Sequence, residues 1–230
     1  MSYTFVSGSF ASNGEGPSTT GTCAYAANNA AGNLLVLTCS TQGGPTATGV
    51  TDSAGNTWAL ARGGAALPAG SEIPYIFYAY NSKAGANTVT LGLSSSGDWQ
   101  MNVSEWSLGS AINFNPLDQI SAQSTGNSSA ASTALPVCQA HDLLINNVIN
   151  DTVDPTVGAG FTDLYNLHVL NYEFAQYLLD SGAAGAQSVP TIGTQNNWSS
   201  IAVSFKTAAS SVSFVPPRRQ RRVVTNYYPR

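Results

Sequence analysis

Three segments from the first half of the chain return in the same order in the second half. Ala31-Gly-Asn-Leu-Leu-Val is matched by Ala140-His-Asp-Leu-Leu-Ile, and Ala84-Gly-Ala-Asn-Thr-Val by Ala184-Gly-Ala-Gln-Ser-Val. Gly97-Asp-Trp-Gln-Met-Asn-Val-Ser-Glu-Trp is matched by Asn196-Asn-Trp-Ser-Ser-Ile-Ala-Val-Ser-Phe. The offset falls from 109 to 100 to 99, which places longer loops in the first half. A unit of about 100 residues with few charges and many loops makes a poor separate core. Asn113–Pro136, between the halves, is polar but contains no long flexible tract. One β-sandwich over residues 1–214 is therefore expected, each half supplying a Greek key as in an eight-stranded jelly roll.

The runs between the loops support an all-β chain. Asn33–Thr38 (NLLVLT), Ile73–Tyr80 (IPYIFYAY), Thr88–Leu93 (TVTLGL) and Gln100–Leu108 (QMNVSEWSL) lie in the first half. Asp142–Ile149 (DLLINNVI), Tyr172–Leu179 (YEFAQYLL) and Ser200–Phe205 (SIAVSF) lie in the second. They are short, rich in β-branched and aromatic residues, and bounded by Gly, Asn, Ser and Pro. Sustained helical periodicity is absent; only Asn166–Leu179 competes as a helix, and its aromatic content favours a strand.

Charge is scarce and unevenly placed. Asp, Glu, Lys and Arg make up 9% of the chain, against roughly 25% in an average domain. Five of the eight basic residues, Arg218, Arg219, Arg221, Arg222 and Arg230, fall in the last thirteen positions. All twelve acidic residues come earlier, so the body to Val215 carries −9 and the stretch Pro216–Arg230 carries +5. Residues 215–230 read as an extended basic arm that buries no core of its own. Pro216-Pro217 stiffens its exit, the arginines suit bidentate contacts with carboxylates or phosphates, and Val223, Val224, Tyr227 and Tyr228 add apolar anchors. That mixture favours docking on an acidic protein surface, ahead of a plain disordered tail and of nucleic-acid or nuclear-import use.

Candidate chemistry is sparse. Cys23, Cys39 and Cys138 lack zinc-ligand spacing and read as buried thiols on strands. Asp52-Ser-Ala-Gly-Asn-Thr reads as a turn, because it lacks the repeated carboxylates of a calcium loop. Asn150-Asp-Thr-Val-Asp-Pro, with Asp163 beyond it, is the other acidic cluster and reads as a plain loop. His141 aligns with the turn at Gly32-Asn33, and His168 lies in a strand-like stretch; no G-x-S-x-G elbow accompanies them. Glu105 and Glu173 would be the carboxylate pair of a glycosidase only if the fold brought them together. Trp99 and Trp198 occupy matching repeat positions, which favours shared packing; the competing role for them is stacking on a glycan. No cofactor or metal is expected. The opening Met1-Ser-Tyr-Thr-Phe-Val has neither a basic n-region nor a long apolar h-region, so no signal peptide is expected. No apolar run approaches the roughly 20 residues of a membrane span.

From about residue 20 to 206 the chain resembles a family of jelly-roll domains found in uncharacterised bacterial surface proteins and in phage structural proteins. The resemblance is carried by Gly32-Asn-Leu-Leu-Val, Val50-Thr-Asp-Ser-Ala-Gly-Asn-Thr-Trp, Ile76-Phe-Tyr-Ala-Tyr, Ala84-Gly-Ala-Asn-Thr-Val-Thr, Glu105-Trp-Ser, Asn115-Pro-Leu-Asp, Asp142-Leu-Leu and Gly158-Ala-Gly-Phe-Thr. These motifs are structural and bring no catalytic residues; the arm lies outside them. The expectation is a non-enzymatic virion protein: a surface decoration of the capsid, a tail fibre or a host-attachment module. Its arm would bind other virion proteins, and it would be homo-oligomeric in the particle, with no membrane contact. The alternative is a carbohydrate-binding module or lectin at an extracellular or bacterial surface, where a host-surface glycan would be the partner.

Overall fold

The computed structural model describes residues 1–13, 16–67, 71–131, 133–134, 141–150, 156–167, 173–179, 187–188 and 191–207, and no helix occurs among them. The protein is all-β and forms a sandwich of antiparallel sheets. In the first half, β1 (Thr4–Ser12), β2 (Ser18–Ala24), β3 (Leu34–Gln42), β4 (Ala47–Asp52), β5 (Ala59–Gly63), β6 (Ile73–Ala79) and β7 (Thr88–Ser107) form one sheet along the path β1-β7-β3-β6-β5. The beginning of β7 pairs instead with β2 and β4, which fold over the outer face of β3.

Strand β3 is therefore covered on both sides. Leu35, Leu37 and Cys39 pack outward against Cys23, Val89, Leu91 and Leu93, while Leu34 and Val36 pack inward against the second half. A strand buried on both faces reads as a continuous apolar run, which accounts for NLLVLT. Each fully buried Leu contributes roughly 1.5–3 kcal/mol relative to exposure.

In the second half are β8 (Leu117–Ile120), β9 (Ser124–Ala130), β10 (Thr133–Ala134), β11 (Leu143–Asn150), β12 (Thr162–Leu167), β13 (Glu173–Leu179), β14 (Gln187–Ser188) and β15 (Thr191–Phe205). Their main sheet runs β8-β15-β11-β13-β12, the order of the first half with each strand replaced by its counterpart. Registers agree residue by residue. Leu34 faces Trp106 as Leu143 faces Phe205, and Thr41 faces Trp99 as Asn150 faces Trp198. Both edge ladders also carry an irregularity at the same place, between Leu60 and Arg62 in β5 and between Asp163 and Tyr165 in β12. The residue skipped in each, Ala61 or Leu164, is buried between the sheets.

The two sheets pack face to face through Leu34, Val36, Ile76, Trp106, Leu143, Ile145, Val203 and Phe205. Strand β1 meets β12 as β5 meets β8, and β3 meets β13 as β6 meets β11. These contacts are unchanged when each strand is exchanged for its counterpart, so the halves are related by a local pseudo-twofold.

The two runs Thr88–Leu93 and Gln100–Leu108 belong to one strand, β7. Ser94, Ser95 and Ser96 face solvent where β7 passes from the outer layer to the main sheet, so this stretch carries the polar signature of a loop. Asn166–Leu179 contains the end of one strand and the whole of another, β12 and β13, rather than a helix.

Candidate functional site

The repeated tryptophans are locked into the body. Trp99 is 7% exposed and donates its indole N–H to Ser18 Oγ at 2.9 Å. Trp198 is 6% exposed and donates to Ser128 Oγ at 2.9 Å. The two serines pair with equivalent positions, Gly97 and Asn196. Gly21 lies against the Trp99 ring and Gly126 against the Trp198 ring, so closely that an added Cβ would come within 2.7 Å and 2.6 Å of ring carbons. A sugar-stacking face needs an open ring, and these rings are covered.

Glu105 and Glu173 sit on different faces of the first sheet. Glu105 shares its face of β7 with Met101 and Val103, against the outer layer. There its Oε1 accepts from Ala30 N at 2.8 Å and Asn33 Nδ2 at 2.7 Å, and its Oε2 from Asn29 Nδ2 at 2.9 Å and Ser7 Oγ at 3.3 Å. The carboxyl thus ties the 29–33 turn to β7. Glu173 reaches β3 from the second sheet, where its Oε2 accepts from Ser40 Oγ at 3.2 Å. Its Oε1 has no hydrogen-bond partner among the described residues. Burial pushes its carboxyl up to about 8, against the lowering effect of Ser40 and of the nearby polar side chains of Asn147 and Thr38. The same sheet that supports Glu105 on one side receives Glu173 on the other, so the two form no acid pair.

The Asp52 turn is closed by its own polar groups. Asp52 Oδ1 accepts from Asn56 N at 2.8 Å; Oδ2 accepts from Asn56 Nδ2 at 2.7 Å, Trp58 Nε1 at 3.0 Å and Asn87 Nδ2 at 3.0 Å. Burial acts to raise the Asp52 pKa, but the donors from Asn56, Asn87 and Trp58 outweigh it, and the net shift is downward. Gly55 takes the left-handed conformation, with φ 75°. Among the described residues no group of three His, Cys, Asp or Glu side chains is placed to hold a metal.

This turn forms one wall of an open groove of about 540 Å³. The opposite wall is the end of β6 and the turn after it. Tyr78 and Tyr80 stack along that wall with centroids 6.3 Å apart and planes at 18°. Asn81 follows with φ 54°. Lys83 N donates to Asn56 Oδ1 at 2.8 Å and Lys83 Nζ to Gly55 O at 2.7 Å, fastening one wall to the other. Asn115, from the connection between the halves, completes the rim and accepts Tyr78 Oη–H at 3.0 Å and Leu117 N–H at 3.1 Å on its Oδ1. Sequence reasoning missed this site, because its residues are spread over three turns. The only local signal was the run Tyr78-Ala-Tyr80 at a strand end.

Cys23 and Cys39 are buried free thiols, on β2 and β3. Burial pushes both up, Cys39 well above its ordinary value. His141 is exposed in the left-handed region at φ 71°, matching Gly32 at φ 87°. The arm residues Arg218, Arg219, Arg221, Arg222, Val223, Val224, Tyr227, Tyr228 and Arg230 lie outside the described residues, as do Cys138, His168 and the loop at 151–155. Comparison with known proteins finds no matching family model, no matching curated protein and no matching solved structure.

Proposed function

We infer that this chain is a non-enzymatic structural module of a phage particle, displayed on the virion surface and held there by its basic arm. The observation that carries the reading is the division of charge between a −9 body and a +5 arm. An acidic sandwich repels other acidic surfaces, whereas a short arginine-rich segment with Val and Tyr seeks one. The exit from the last strand is consistent with this use. Tyr3 Oη donates to Lys206 O at 3.0 Å, just past the end of β15, so the chain leaves the sandwich from a fixed point. Glu105 and Glu173 both serve the packing: Glu105 holds a turn, and Glu173 packs between sheets. The direct test is mass spectrometry of purified particles from the phage that encodes the chain, with immunogold labelling to locate it. A stoichiometric surface component supports the reading. Absence from the particles, with the chain found free in the lysate, contradicts it.

A further inference from the structure

We propose that the groove between the Asp52 turn and the end of β6 is a saccharide-binding site, with Tyr80 as its stacking platform and Asn81, Asn115 and Thr57 as its hydrogen-bonding rim. The inference goes beyond the virion reading and does not depend on the arm.

The division of labour among the groove's polar groups points to a ligand. The framework is largely engaged: Asn56 uses one amide N–H on Asp52 and its carbonyl on Lys83, and one N–H of the Lys83 ammonium is held by Gly55. The lining is not. Among the described residues, the hydroxyls of Tyr80 and Thr57 and the side-chain amide of Asn81 have no hydrogen-bond partner. Asn115 spends only its Oδ1, leaving both amide hydrogens. Rigid walls carrying uncommitted donors and acceptors form a pre-organised polar site, where binding costs little ordering.

The chemistry selects a sugar. Tyr80 is 38% exposed, and the stacked neighbour Tyr78 supports its ring. A flat, half-open aromatic face suits the C–H face of a pyranose. Neutral amides and hydroxyls around it suit hydroxyls, each of which both donates and accepts. Among the described residues Lys83 is the one cation lining the groove, against several neutral amides and hydroxyls, so the lining suits a hydroxyl-rich ligand better than a phosphate. Among the described residues no carboxylate lines the groove, so neutral and acidic sugars are both admitted.

The internal duplication separates binding from folding. Strand β13 pairs with β11 as β6 pairs with β3, which places Leu179 at the position equivalent to Tyr80. Leu179 is 39% exposed, close to the value for Tyr80, so this strand end folds without a tyrosine.

The test is a printed array of neutral, uronic and sialylated oligosaccharides probed with the full chain. The strongest hit is then titrated as a free sugar by calorimetry against wild type, Tyr80→Leu and Asn81→Gly. The first variant installs the residue found at the equivalent strand end, and the second tolerates the left-handed backbone. The expected result is saccharide binding by wild type that weakens about tenfold or more in each variant, a loss of ~1.4 kcal/mol or more, at unchanged Tm. Saturation-transfer NMR on wild type gives a readout independent of any variant, with the strongest transfer reaching the C–H face of the sugar that stacks on the ring. No binding across the array would overturn the proposal. So would binding that Tyr80→Leu leaves intact, or transfer spread evenly over the sugar with no preference for its C–H face.

Discussion

Trp198 donates its indole N–H to Ser128 at 2.9 Å, and the equivalent bond between Trp99 and Ser18 has the same length. The two bonds secure corresponding points of the two halves. Ser18→Ala and Ser128→Ala should each cost about 1 kcal/mol, because each strands a nearly buried indole donor. The sites lie in separate clusters, so the double variant should lose the sum. Gly21→Ala should cost more than Ser18→Ala, since its Cβ would collide with the Trp99 ring. Urea unfolding of the four variants beside wild type checks all three statements.

Glu105 and Glu173, the two fully buried glutamates, should respond differently to substitution. Glu105→Ala strands Asn29, Asn33 and the Ala30 N–H and should cost on the order of 3 kcal/mol. Glu173→Gln should be neutral or stabilising at pH 8, because it removes the need to bury an ionised carboxylate. Equal destabilisation by both substitutions would contradict the burial argument for Glu173.

Glu173 also sets a pH dependence. Its folded pKa, about 8, lies above the ordinary 4.5, so over that interval the native state holds a proton that the unfolded state has released. Its contribution to stability is fully present below about pH 4.5 and is lost as pH rises through about 8, with a limiting slope of ~1.4 kcal/mol per pH unit. Chemical denaturation from pH 5 to 9 should show this decline, and Glu173→Gln should flatten it.

His141 and Gly32 occupy equivalent left-handed turn positions, at φ 71° and φ 87°. His141→Gly should stabilise by about 1 kcal/mol, by relieving a conformation that side chains disfavour. Gly32→Ala should destabilise more strongly, since its Cβ would also approach Ala111 to 2.8 Å. Thermal melts of the two variants should move in opposite directions.

The fold was legible where burial dominates sequence. The match between Asn33–Thr38 and Asp142–Ile149 marked the central strands β3 and β11, and the Trp99 and Trp198 repeats marked β7 and β15 in their observed register. Strands β1, β2, β4 and β9 escaped notice because one face meets solvent and their residues are mainly Gly, Ser, Thr and Ala. Polar residues on an exposed strand face look like those of a loop. The groove was illegible for a different reason. Thr57, Tyr80 and Asn115 are far apart in sequence, and only the folding of three turns toward one another makes them neighbours.

The central claim, a virion module held by its arm, is tested most directly by re-binding purified protein to particles grown without it. Full-length chain and a chain lacking Pro216–Arg230 would be compared by quantitative co-sedimentation at several salt concentrations. The account predicts that the deleted form stays folded, because no described strand extends beyond Phe205, yet fails to bind. Binding of the full-length chain should weaken with salt, as exposed charge pairs are screened within about 8–10 Å. Substituting Ser for Arg218, Arg219, Arg221 and Arg222 should leave a salt-resistant remainder from Val223, Val224, Tyr227 and Tyr228. A deleted form that decorates particles at full occupancy would contradict the account.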